Sequence, residues 1–161
     1  MSKKIVFLMI LSLFIFGLTG CTAKAKEFSG SGITITLTDD FVEEEIAQAP
    51  FYLVSPNHIL MCYKESKSDL EYYPIDTLED YINAVLTNGG FSSEIFTYNE
   101  DDVHYMYAYY SKTIDEVDYG YMLIVMEGEN HFYSMNFGCL DSKLDSYKDQ
   151  YSDWAKTIIV E

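Results

Sequence analysis

Apolar and polar positions recur with a definable period along most of the chain, and the densest patterning lies between Val103 and Leu140. Three strand-like runs, Val103–Thr113, Tyr119–Glu127 and His131–Leu140, are separated by Asp115–Asp118 and Gly128–Asn130. Connections this short join antiparallel neighbours, so the pattern predicts a β-meander. Upstream, Ile33, Ile35 and Leu37 alternate with threonines, which puts one apolar edge on a strand. Phe51–Val54 and Ile59–Tyr63 flank Ser55-Pro56-Asn57-His58, where Pro56 presets φ and Asn57 tolerates a left-handed backbone, and this predicts a hairpin. Ser93–Tyr98 and Ile159-Val160 read as further strands.

Two segments carry the helical period instead. Thr77-Leu78-Glu79-Asp80 matches a capping pattern, Leu78, Tyr81, Ile82, Val85 and Leu86 follow as one stripe, and Asn88-Gly89-Gly90 stops it. After Leu140, Asp141 or Ser142 can cap a second helix in which Leu144, Tyr147, Tyr151, Ala155 and Ile158 share a face, bordered by Trp154. Strands without strict βαβ alternation, plus two helices, predict an α+β fold, a mostly antiparallel β-sheet flanked by two main helices.

The first 20 residues differ in kind. Lys3 and Lys4 precede an apolar run from Ile5 to Phe16, too short to span a bilayer comfortably and suited to a signal peptide over residues 1–20. Leu18-Thr19-Gly20-Cys21 resembles the lipobox of bacterial lipoproteins. That resemblance implies a diacylglyceryl group on Cys21, palmitate-type acyl chains, and residence at the extracytoplasmic face of the cell membrane. Two acyl chains suffice for stable anchoring, at about 0.8 kcal/mol per buried methylene. Residues 21–32, with Ser29-Gly30-Ser31-Gly32, read as a lipidated flexible tether, and 33–161 as one domain.

Charge narrows the partners. All 26 acids lie beyond residue 20 against eight of the ten lysines, a formal charge of −18, and arginine is absent. Nothing here neutralises phosphates, which excludes nucleic acid. Anionic head groups repel such a domain, so it hangs from its anchor and does not lie flat.

The segment Gly32-Ile33-Thr34-Ile35-Thr36-Leu37, the following Asp40-Phe41, the helix opened by Thr77-Leu78-Glu79-Asp80-Tyr81, the aromatic meander and the ending Trp154-Ala155-Lys156-Thr157-Ile158-Ile159-Val160 resemble the PsbP-like domains. Thr38-Asp39 stands where that family usually has a proline. The resemblance spans roughly 33–160. It implies the sheet-and-helix architecture above and a binding or assembly accessory role, without catalytic activity, toward another exported protein.

Candidate chemistry is sparse. Fifteen tyrosines stand out, with Tyr105, Tyr107 and Tyr109 on one face of a strand and Tyr119 and Tyr121 on the next. As an exposed platform they would bind a small ligand or glycan, and as a covered layer they pack under a helix. His58, His104 and His131 lack metal-site spacing, and Asp115–Gly120 only faintly follows a calcium loop because Val117 takes a ligand position. Neither a metal nor a cofactor is expected, and no nucleophile elbow or triad can be assembled, so no catalytic residue is assigned. Cys62 and Cys139 both fall in strands, where a disulfide and two buried thiols are equally compatible with the pattern.

Overall fold

The computed structural model describes residues 23–100 and 102–161. The signal peptide expected over residues 1–20, and the lipidation expected at Cys21, fall outside the described residues. The main sheet has seven antiparallel strands in the order β3-β4-β5-β9-β8-β7-β6. They are β3 (Val42–Glu43), β4 (Phe51–Val54), β5 (Ile59–Ser66), β6 (Ile95–Glu100), β7 (Val103–Ile114), β8 (Val117–Glu127) and β9 (His131–Leu140). A second sheet joins β1 (Ala25–Gly30), β2 (Ile33–Thr38) and β10 (Ile159–Val160) in the order β1-β2-β10. Two α-helices complete the described residues, α1 (Leu78–Gly89) and α2 (Leu144–Ala155).

β8 and β9 set the layering. From Gly120 to Met126, and from Phe132 to Cys139, every residue is buried, so both faces of the central hairpin need cover. One face supplies Tyr105, Met122, Ile124, Met135 and Phe137 to a core closed by α2 and by Ile33, Ile35 and Leu37 of the small sheet. The other supplies Ala108, Leu123, Val125 and Phe132 to a smaller core under Leu78, Tyr81, Ile82 and Leu86 of α1. The result is an antiparallel sheet between two unlike covers.

The local signals explain the elements. Thr77 accepts from the Asp80 amide while the Asp80 carboxylate accepts from the Thr77 amide, which closes the capping box, and Gly90 ends α1 at φ 74°. Asp141 and Ser142 do not cap the second helix. They form a 3-10 turn ahead of it, and Asp141 instead accepts from the Ser111 hydroxyl across the sheet end. The strand expected over 93–98 runs Ile95–Glu100, because pairing with β7 carries it past the polar Asn99.

Residues 25–30 are not a tether. They form β1, paired along its whole length with β2. Backbone hydrogen bonds to an amphipathic strand fix this segment although Phe28 is its one buried side chain, which is why its composition resembles a linker.

Cys62 and Cys139 are both free and buried. Met135 stands opposite Cys62 in the β5–β9 register, so Cys139 lies four residues further along β9, roughly 13 Å away and beyond disulfide reach. Burial pushes the Cys62 thiol up to about 12 and raises that of Cys139, the reverse of what a reactive thiolate needs.

Ile82 is fully buried between α1 and the sheet. Ile82→Ala should therefore cost about 2–5 kcal/mol of stability in chemical denaturation. A loss below about 0.5 kcal/mol would mean that this side chain does not hold α1 in place.

Candidate functional site

The β7–β8 turn decides where the aromatic side chains go. Asp115 and Glu116 take φ of 48° and 66°, a two-residue connection, and Ile114 pairs with Val117. Even-numbered residues of β7 therefore share a face with odd-numbered residues of β8. Tyr105, Tyr107 and Tyr109 consequently face away from Tyr119 and Tyr121, and the five do not form one platform. Tyr105 is fully buried beneath α2, while Tyr107 and Tyr109 are partly buried against the same core. Lys148 of α2 lies 4.6 Å above the Tyr109 ring. Tyr105 is thus covered, while Tyr107 and Tyr109 are open on the side of Phe96, which is 37% exposed and stacks on Tyr107 at 5.2 Å.

A larger partly open aromatic surface lies on the other face. α1 shields only the rows through Ala108, Leu123, Val125 and Phe132. Beyond its end, the pairings align Val54, Ile59, Gly138, the buried Tyr121 and Tyr110 in one row and Leu140, Tyr119 and Lys112 in the next. Ile114 and Val117 continue the surface onto the hairpin tip, at 41% and 39% exposure, and Leu140 is 50% exposed. Tyr52, Met61, Tyr110 and Tyr119 are half-buried on the same face. Its rings are ordered from beneath: Tyr110 donates to Asn136 at 2.8 Å and stacks on Tyr121 and Phe91. Gly138 is required there, because a Cβ would stand 2.7 Å from the Tyr121 ring.

A cavity of ≈ 380 Å³ opens at the end of this face. The β4–β5 turn, the start of β8, the end of β9 and the beginning of α2 wall it, through Pro56, His58, Tyr119, Leu140, Lys143 and Tyr147. The turn is tied by Ser55 and His58: the Ser55 amide donates to the His58 carbonyl at 2.8 Å, and the His58 amide donates to the Ser55 hydroxyl at 3.2 Å. His58 is nine-tenths buried, with Nδ1 3.0 Å from the Tyr151 hydroxyl. Its ring meets Tyr147 edge-on at 4.4 Å and Trp154 at 5.3 Å, and stacks near Phe41 at 6.3 Å. Burial holds the imidazole below its ordinary value, against a smaller opposing pull from Asp40, so the ring is neutral at pH 7.

Such a site suits recognition better than bond breaking. Its thiol is pushed up by burial and its imidazole is turned toward a tyrosine, so no activated nucleophile results. Among the described residues no three His, Cys, Asp or Glu side chains converge as metal ligands. His104 is exposed and His131 half-buried, away from His58. Asp115 and Glu116 make the hairpin turn, while Asp118 accepts from Thr113, so this segment is a turn and not an ion loop. No helix among the described residues is long and apolar enough to cross a membrane.

The layer order and strand connectivity define the PsbP-like α+β fold. Among solved structures the chain superposes on cyanobacterial PsbP (CyanoP) from Synechocystis sp. PCC 6803 with a TM-score of 0.63 and 12% identity, covering 90% of this chain and 96% of that one. The Saccharomyces cerevisiae Ran-binding protein Mog1p matches at a TM-score of 0.55 and 9% identity, over 86% of this chain and 96% of that one. A Bacteroides thetaiotaomicron VPI-5482 protein matches at 0.57 and 14% identity, but this chain spans 48% of its length. No family model and no curated protein matches the chain in sequence.

Sequence reasoning did not single out Tyr52, Tyr110 or the cavity. The available signal was the alternation Tyr52/Val54 and Ile59/Met61/Tyr63 around a histidine-bearing turn, which marks a second apolar face on strands already apolar on the first.

Because the folded ring of His58 has a depressed pKa, the unfolded chain binds its proton first as pH falls. Stability from this group is complete above about pH 6.5 and declines below it, through the window down to the folded value. Urea denaturation at pH 7.5 and 5.5 should show that decline in the wild type and a flatter response in His58→Gln. An equal decline in both would place the titrating group elsewhere.

Proposed function

We propose that this chain is an exported, lipid-anchored accessory that binds or helps assemble another exported protein and has no catalytic activity of its own. The observation that carries the reading is the tyrosine- and isoleucine-rich face beyond α1, which continues onto an exposed hairpin tip in a chain of charge −16. A contiguous uncovered apolar face on a strongly charged protein is the surface expected of an interaction site. Glu43, Glu44 and Glu45 border it on one side and Asp115 and Glu116 on the other, all exposed. The partner this fits is a protein with an apolar strip between basic residues. The fold shared with CyanoP and with Mog1p, a Ran-binding protein, supports a binding role. The lipobox Leu18-Thr19-Gly20-Cys21 supports attachment to the extracytoplasmic face of the membrane. A glycan platform that uses all of Tyr105, Tyr107 and Tyr109 is disfavoured because Tyr105 is fully buried.

Metabolic labelling with a fatty-acid analogue should mark the wild type and not Cys21→Ala. Equal labelling of both, or a wild type found wholly in the medium, would overturn the anchor. A photo-crosslinking residue at Ile114 or Leu140 should capture one stoichiometric basic protein in the native membrane, and the same residue at Asn83 on α1 should not. Capture of polysaccharide alone would overturn the partner.

A further inference from the structure

We propose that the cavity beside His58 is a receptor for an aromatic ring that carries a hydroxyl group, a phenol. Charge narrows the ligand first. In a chain of 26 acids, no Asp or Glu lines this cavity and one lysine does. A cationic ligand would therefore find no counter-charge in the walls, while the overall negative field disfavours a free anion. A neutral ligand remains.

The walls specify its body. Tyr119, Tyr147 and the His58 ring, with Pro56, Ile59 and Leu140, make a largely apolar, aromatic lining. The volume falls within the range of small-ligand sites. Aromatic rings pack well against such edges and faces.

The hydrogen bonds specify its polar group. The Gly120 carbonyl can only accept, so the Cys139 thiol donates to it. The Tyr151 hydroxyl lies 3.0 Å from Nδ1 of His58 and holds that side of the ring, which leaves Nε2 as the ring nitrogen free to meet a ligand. Among the described residues Nε2 forms no hydrogen bond, and His58 lines the cavity. A ligand hydroxyl, which can donate or accept, would give this nitrogen a partner inside an aromatic site. A phenol supplies both the ring and the hydroxyl.

The phenol can be the tip of a tyrosine on a partner protein, set as an anchor at the end of the apolar face, or a free small phenol. The inference does not depend on capture of a partner. Residues 23–161 hold every strand and both cores described above and can be used directly. Titration with p-cresol and with toluene, followed by two-dimensional NMR, should shift the signals of His58, Tyr119 and Tyr147. Toluene should bind at least about tenfold more weakly, since it leaves Nε2 unpaired. N-acetyl-tyrosinamide separates the two sources: binding indicates a side chain on a polypeptide, and exclusion with p-cresol still bound indicates a free phenol. His58→Phe should abolish the preference for p-cresol. Tyr119→Ala, at a half-exposed position, should weaken both probes and keep the fold if His58→Phe does not. Absence of shifts at these residues, or equal affinity for the two probes in the wild type, would overturn the proposal.

Discussion

Everything in this molecule answers to the burial of β8 and β9 on both faces. An antiparallel hairpin with one wet face needs one cover, but the unbroken apolar run from Tyr121 to Met126 demands two. The chain meets the demand with unequal resources. α2 and the β1-β2-β10 sheet cover one face except at its β6–β7 edge, whereas the twelve residues of α1 reach across only part of the other. The larger exposed surface is what α1 leaves over. Fold and candidate site thus have one origin.

Much of this architecture was legible in the residues. The capping box at Thr77 and Asp80, the stripe through Ile82, the Ser55–His58 turn and the meander boundaries each rest on interactions within a few positions of one another. β1 was hidden because its stability comes from β2 and only Phe28 points inward. The tyrosine faces were hidden for a different reason. Tyr105 and Tyr119 stand on opposite faces because the β7–β8 turn has two residues at positive φ, and a register one residue different would have reversed them. Neither Asp115 nor Glu116 is glycine or asparagine, so the usual mark of such a turn is missing. The cavity was less legible still, since its walls come from four segments between Ser55 and Tyr147.

The histidine shows how context changes the meaning of a residue. In sequence His58 is an isolated imidazole in a turn. In the fold it is packed by Phe41, Tyr147, Tyr151 and Trp154, and the Tyr151 hydroxyl holds Nδ1. That arrangement takes away a charge and leaves a single ring nitrogen to meet a partner, which suits selection among uncharged groups.

The pairing of β1 with β2 also sets the geometry of attachment. Ala25 is already in the sheet, and Lys24 is fixed beside it by two hydrogen bonds with Asp39. A lipid on Cys21 would therefore hold the domain on residues 21–23, a reach of at most about 11 Å to Lys24 when fully drawn out. Lys24 lies beside Asp39, and Phe41, two residues further on, packs on His58. The anchor would thus be a short one, joined to the fold near the place where Phe41 meets His58.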